Sequence, residues 1–164
     1  MLISYLLCFF FALLLHESGH LLAARLCCVP APEFGLGWGR RLLGFHFGGV
    51  EYKLHALPVG AYVRLDIAEL QRRSLSQQVS ILLAGVIVNL IAAALTLGTP
   101  FGTVNLLLAA TNILPLYQQD GWKCGMVMLR ALLRRKSAVV EWTFTIAGSC
   151  VSLTLIAFQA LRHL

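Results

Sequence analysis

Leu2 to Val29 reads LISYLLCFFFALLLHESGHLLAARLCCV, a largely apolar run broken near its middle by His16-Glu17-Ser18-Gly19-His20. The run is longer than the ~20 residues needed to cross a hydrocarbon core. A charge buried in lipid costs several kcal/mol unless it is paired or metal-bound, so two imidazoles and a carboxylate there mark a functional site. Their spacing narrows the chemistry. On a helix, residues i and i+4 share a face, which lets His16 and His20 reach one ion while Glu17 stands beside it. Two His as ligands and a Glu as general base on a metal-activated water is the pattern of a zinc hydrolase.

The remaining composition agrees with a membrane setting. Of 164 residues, 59% are apolar and 12% charged, with a mean hydropathy of +0.79, which excludes an ordinary soluble domain. Four apolar spans are expected: Leu2 to Cys28, Val79 to Leu97, Val104 to about Leu132 with an interruption, and Trp142 to Leu161. The chain reads as a polytopic α-helical membrane protein forming one domain over residues 1–164. The net charge of +6 needs no nucleic-acid partner. Arg40, Arg41, Lys53, Arg64, Arg72 and Arg73 lie between the first two spans. Lys123, Arg130, Arg134, Arg135 and Lys136 accompany the end of the third, and the Gly98 to Thr103 turn carries no base. The positive-inside rule then places both basic regions in the cytoplasm and both termini outside. Met1 to Leu15 lacks the basic start and cleavage site of a signal peptide and is expected to be retained. Five cysteines, an odd number scattered through apolar sequence, read as core fillers, Cys124 included.

Residues 30–74 differ from the rest. Pro30 and Pro32 end the first helix and glycines recur at 35, 37, 39, 44, 48, 49 and 60. Phe45-His46-Phe47 and Val50 to His55 flank Gly48-Gly49 with alternating polarity, which predicts a hairpin, and Val59 to Leu65 predicts a second extended piece. Open strands cannot face lipid, so this small β element must be membrane-associated at the surface, line a wet cavity or pack inside the protein. His46, His55 and His163 are read as structural or surface residues, with His55 near a strand edge. Ser74 or Ser76 suits a helix N-cap. Asn89, the strongly polar residue of the second span, either bonds a neighbouring helix or serves the site. Gly19 allows either close helix packing or clearance over a metal.

A catalytic zinc takes three protein ligands and keeps one open position. Glu33, Glu51, Asp66, Glu69 and Glu141 lie in the polar loop or at the start of the last span, which leaves Asp120 as the best candidate for the third ligand. Depth agrees. His16 lies about 15 residues into a helix entering from outside and Asp120 about 16 residues past Val104, so both reach roughly 22 to 25 Å below the outer face, toward the cytoplasm. Pro115 should kink or unwind the third span just before Asp120-Gly121.

In three separated stretches the sequence resembles the site-2 protease family of intramembrane zinc metalloproteases. His16-Glu17-Ser18-Gly19-His20 is similar to its first motif, Leu57-Pro58-Val59-Gly60-Ala61-Tyr62-Val63 to its Pro-Leu-Gly-Gly-Tyr-Val segment, and Asn112-Ile113-Leu114-Pro115 with Asp120-Gly121 to its Asn-Pro-Asp-Gly motif. Ala84 to Asn89 resembles its Ala-Gly-Pro-x-x-Asn. The resemblance implies one Zn²⁺ per chain on His16, His20 and Asp120, with Glu17 as base. It also implies a substrate groove shaped by Asn112, Pro115, Gly60 and Tyr62, and a membrane-reentrant β element over Phe45 to Leu65. The implied partners are the lipid bilayer, a membrane protein whose transmembrane segment unwinds for cleavage, and a regulatory membrane partner. Ala61, Val86, Gln119 and Trp122 depart from the family pattern without removing a ligand or the base. No stretch resembles the PDZ insertion of one branch or the CBS domain of another, so the expected plan is a minimal core nearest the sporulation-type branch. Two other functions fit a membrane His/Asp cluster: a non-proteolytic adaptor that binds membrane segments, and a metal transporter.

Overall fold

Among the described residues, six helices and one β element follow each other in the order α1 (Leu2–Leu26), β1 (Glu33–Phe47), β2 (Val50–Arg64), α2 (Ile67–Arg72), α3 (Leu75–Leu95), α4 (Pro100–Ile113), α5 (Asp120–Leu133) and α6 (Ala138–Arg162). The structure is a computed structural model that describes residues 2–133 and 138–162. Arg134, Arg135, Lys136 and His163 lie outside the described residues.

α3 is central, packing against α1, α4 and α5. Its start is fixed by a capping box: Ser74 Oγ accepts the Gln77 N–H while the Gln77 side chain accepts the Ser74 N–H. Its buried residues include Ile81, Leu82, Ala84, Gly85, Val86, Asn89 and Ala93. α1 approaches so closely that a Cβ on Gly19 would lie 2.9 Å from the Ala84 carbonyl oxygen and 3.0 Å from Val88 Cγ2. Gly19 therefore serves helix packing. α1 (over Ile3–Leu26) and α3 are long and apolar enough to cross a membrane.

The third expected span is two helices of 14 residues each, α4 and α5. α4 begins at Pro100, whose missing N–H costs nothing at a first helical turn, with Thr99 as N-cap. It ends at Leu114, in extended conformation before Pro115, as the proline's steric demand requires. Gln118 at φ 70° completes the connection, and α5 starts at Asp120. Gly121 allows the tight return, since a Cβ there would sit 2.1 Å from the Ile113 carbonyl oxygen. α6 rests on α5 through Arg130, whose Nε and Nη2 lie 2.8 and 2.9 Å from the Glu141 carboxylate, and through the stacked rings of Trp122 and Phe144.

The β element is larger than the expected hairpin. Phe47 pairs with Val50 across Gly48-Gly49, both at positive φ, as a two-residue connection requires. β2 continues through Pro58 to Arg64, and β1 reaches back to Glu33, through glycines that read as loop. The two strands form an irregular antiparallel sheet, in which Phe34 has both Tyr52 and Val63 as register partners. Glycine is needed inside it: a Cβ on Gly35 would lie 2.2 Å from the Tyr62 ring, and Gly37, at φ 82°, would meet the Leu57 carbonyl oxygen at 2.3 Å. Glu33 ties the folded strands together. Its carboxylate meets Lys53 Nζ at 2.8 Å and Arg64 Nη1 at 3.4 Å, and accepts the Tyr62 hydroxyl. The Lys53 ammonium holds the Glu33 carboxyl below the usual carboxylate range, with the Tyr62 hydroxyl adding to the effect. Phe34, Val50, Leu21 and Ala31 form the small core that fastens this element to α1.

Candidate metal centre

Three side chains meet between α1 and the first residue of α5. His16 Nε2 lies 2.9 Å from Asp120 Oδ2, His20 Nε2 lies 3.0 Å from the same oxygen, and the two Nε2 atoms are 3.2 Å apart. All three residues are buried. Helical periodicity sets the imidazoles edge to face, with ring centroids 4.8 Å apart and planes at 79°, and the break at Pro115 lets α5 begin where its first residue faces them. An N-terminal carboxylate also gains from the helix dipole.

The outer atom of each group is engaged elsewhere. His20 Nδ1 donates to the Ile81 carbonyl at 2.7 Å, which leaves Nε2 with its lone pair facing inward. His16 Nδ1 lies 3.2 Å from the Asn89 amide, and Asp120 Oδ1 accepts from Lys123 Nζ at 3.0 Å. Two imidazole nitrogens and one carboxylate oxygen are thus directed at one point. A tetrahedral zinc with bonds of about 2.0 to 2.1 Å spaces its ligand atoms about 3.3 Å apart, close to the separations here. The donor set fits such an ion. Among the described residues this is the group of His, Cys, Asp and Glu side chains near enough to share a metal, and Cys124 is not part of it.

Glu17 stands one residue along α1, and its Oε2 accepts the backbone N–H of Val63 at 3.0 Å. It shares with His20, Asp120, Lys123 and Val63 the lining of a cavity of about 160 Å³, room for several waters. The base candidate, two of the three ligand candidates and the end of β2 therefore share one cavity.

The residues expected at a substrate groove do not line this cavity. Asn112 donates to the Leu108 carbonyl at 3.0 Å inside α4, and Pro115 lies in the connection to α5. Gly60, at φ 93°, lies beneath the Trp38 indole, and the Tyr62 hydroxyl is given to Glu33. His55 Nδ1 faces the Leu36 carbonyl at 3.3 Å. The strand residue that touches the site is Val63, through its backbone. Sequence reasoning missed Val63, Ile81 and Gly85, two of which act through main-chain atoms and one through the lack of a side chain. Lys123 carried a readable signal, three residues after Asp120 on a helix.

The sequence model of Peptidase family M50 matches residues 4–101. A protein of Clostridium acetobutylicum with the name "putative zinc metalloprotease" is 37% identical over 97 residues, covering 54% of this chain and 29% of its own. One of the same name from Chlamydia trachomatis is 44% identical over 55 residues, covering 34% of this chain and 9% of its own. A third, from Clostridium perfringens, is 32% identical over 96 residues, covering 54% and 29%. The chain spans less than a third of the length of these curated relatives. The family match takes in the His16 to His20 motif, β1, β2 and α3, the elements that hold two of the three converging side chains and Glu17, and on that match the chain belongs to Peptidase family M50, the site-2 protease family.

Proposed function

We propose that this chain is the catalytic core of an intramembrane zinc endopeptidase, which hydrolyses a peptide bond within or next to a transmembrane segment of another membrane protein. The observation that carries the reading is the convergence of His16 Nε2, His20 Nε2 and Asp120 Oδ2 beside the Glu17 carboxylate. His16, His20 and Asp120 would hold one Zn²⁺. When bound, that ion supplies Lewis acidity, which activates water and polarises a peptide carbonyl at neutral pH. Glu17 removes the proton of the attacking water and hands it to the leaving amide nitrogen. Lys123, bound to Asp120 Oδ1, keeps that carboxylate turned so that Oδ2 faces the imidazoles.

A helical substrate has its carbonyls hydrogen-bonded, so it must be extended before attack. The β2 segment around Val63 supports this step. It runs past Glu17 and offers strand backbone on which an unwound segment would add by β-augmentation. Asn112, Pro115, Gly60 and Tyr62 shape the approach of that segment. Helices α1 and α3 expose Ile3, Leu6, Leu22, Leu26, Ile87 and Leu95 to the surroundings, which supports a bilayer as solvent. In this reading the chain is multi-pass with four crossings, α4 and α5 jointly forming the third, both termini outside and the site toward the cytoplasm. A transporter would need ligands at several depths, whereas one such cluster occurs among the described residues.

Metal analysis tests the assignment. Purified protein should carry about one zinc per chain, and His16→Ala and Asp120→Ala should lose both the zinc and the cleavage of a co-expressed membrane substrate. Full zinc retention by either variant would contradict it.

A further inference from the structure

One wall of the metal centre is a face of α3, where Ile81, Gly85 and Asn89 follow each other at four-residue spacing. Each meets the imidazoles differently. The Ile81 carbonyl takes the His20 Nδ1 proton. Gly85 supplies space: a Cβ there would lie 2.5 Å from His20 Nε2 and 2.7 Å from both His16 Cε1 and His16 Nε2. Asn89 is fully buried and has its amide nitrogen 3.2 Å from His16 Nδ1, while its Oδ1 is buried with no hydrogen-bond partner.

Which amide atom faces His16 decides which nitrogen of that imidazole is free. With the amide nitrogen donating to Nδ1, His16 must carry its own proton on Nε2, directed at Asp120 Oδ2. That tautomer offers no lone pair to an ion. The amide oxygen and nitrogen are nearly isosteric, and turning the amide half a revolution sets Oδ1 against Nδ1. The orphaned acceptor then receives a proton from Nδ1, and the Nε2 lone pair faces the site as that of His20 does. The flip leaves the amide nitrogen in the unpartnered position instead, so what favours it is the Nε2 lone pair that an ion on His16 requires.

We propose that Asn89 is a positioning residue of the metal centre, accepting the His16 Nδ1 proton through Oδ1, and that Gly85 keeps α3 clear of both imidazoles. The inference rests on the zinc reading above. It is tested with the purified full chain by competing zinc away with a chromogenic chelator. Asn89→Leu should weaken zinc binding about 10- to 100-fold, and Asn89→Asp, which can only accept at that position, should restore it. Cobalt should give the Asn89→Asp protein a wild-type ligand-field spectrum and the Asn89→Leu protein an altered one. Asn89→Ala, which deletes the amide without adding bulk, repeats the test should the leucine variant fail to fold. Gly85→Ala should lose zinc while keeping its helical content. Wild-type zinc affinity in Asn89→Leu or Asn89→Ala, or equal weakening in the Leu and Asp variants, overturns the inference. Absence of zinc from the wild-type protein overturns the zinc reading instead.

Discussion

His16, Glu17 and His20 divide the work by where each side chain points. The two imidazoles face Asp120, and Glu17 faces Val63 and the cavity. Lys123 is half exposed yet fastened to a buried carboxylate, so it restrains Asp120 from the cavity side. Lys123→Met should leave zinc bound and lower cleavage, because Asp120 then loses the partner that fixes its orientation; outer partners of metal ligands typically contribute about 10- to 100-fold. Zinc content and initial cleavage rate measured on the same preparation check this. Unchanged cleavage would show that Lys123 is only a solvated neighbour.

At the scale of elements, the contact between α1 and α3 decides whether a site exists. Gly19 lies against the backbone of Ala84, which cannot move aside as a flexible side chain could. Gly19→Leu should therefore destabilise the fold by at least the ~1 to 3 kcal/mol typical of overpacking, seen as a lowered Tm in detergent and loss of zinc. The β element answers to acid. The folded state holds the Glu33 carboxyl below its ordinary value near 4.5, so its contribution to stability is present above that value and is lost as pH falls through the lower, folded one. An acid titration followed by Trp38 fluorescence should show a transition below pH 4.5 that Glu33→Gln removes. The i, i+4 histidines, the break before Asp120 and the Gly48-Gly49 turn were legible, because helix period, proline sterics and glycine each leave a mark in sequence. The full lengths of β1 and β2 were not legible. Their glycines read as loop, since nothing in the sequence tells that Tyr62 and Leu57 occupy the space above Gly35 and Gly37. Equally hidden were the Val63 N–H, which every residue but proline could supply, and the Ile81 carbonyl, which every residue carries.

For the whole molecule, we propose a bundle in which lipid replaces water around α1 and α3 while a small cavity that holds Glu17, His20, Asp120 and Lys123 survives inside. The proposed topology rests on the charge distribution. On a cysteine-free background, a cysteine at Arg40 should be labelled only from the cytoplasmic side and one at Gly98 only from the outer side; labelling of both from one side would refute the four-crossing arrangement. The glutamate beside the metal ligands carries the central claim, because it separates binding from hydrolysis. The most direct measurement is cleavage of a transmembrane substrate in liposomes by zinc-loaded wild-type protein and by zinc-loaded Glu17→Gln. The account predicts equal zinc in both and a loss of at least about 100-fold in cleavage by the variant, whereas cleavage at the wild-type rate by zinc-loaded Glu17→Gln would contradict it.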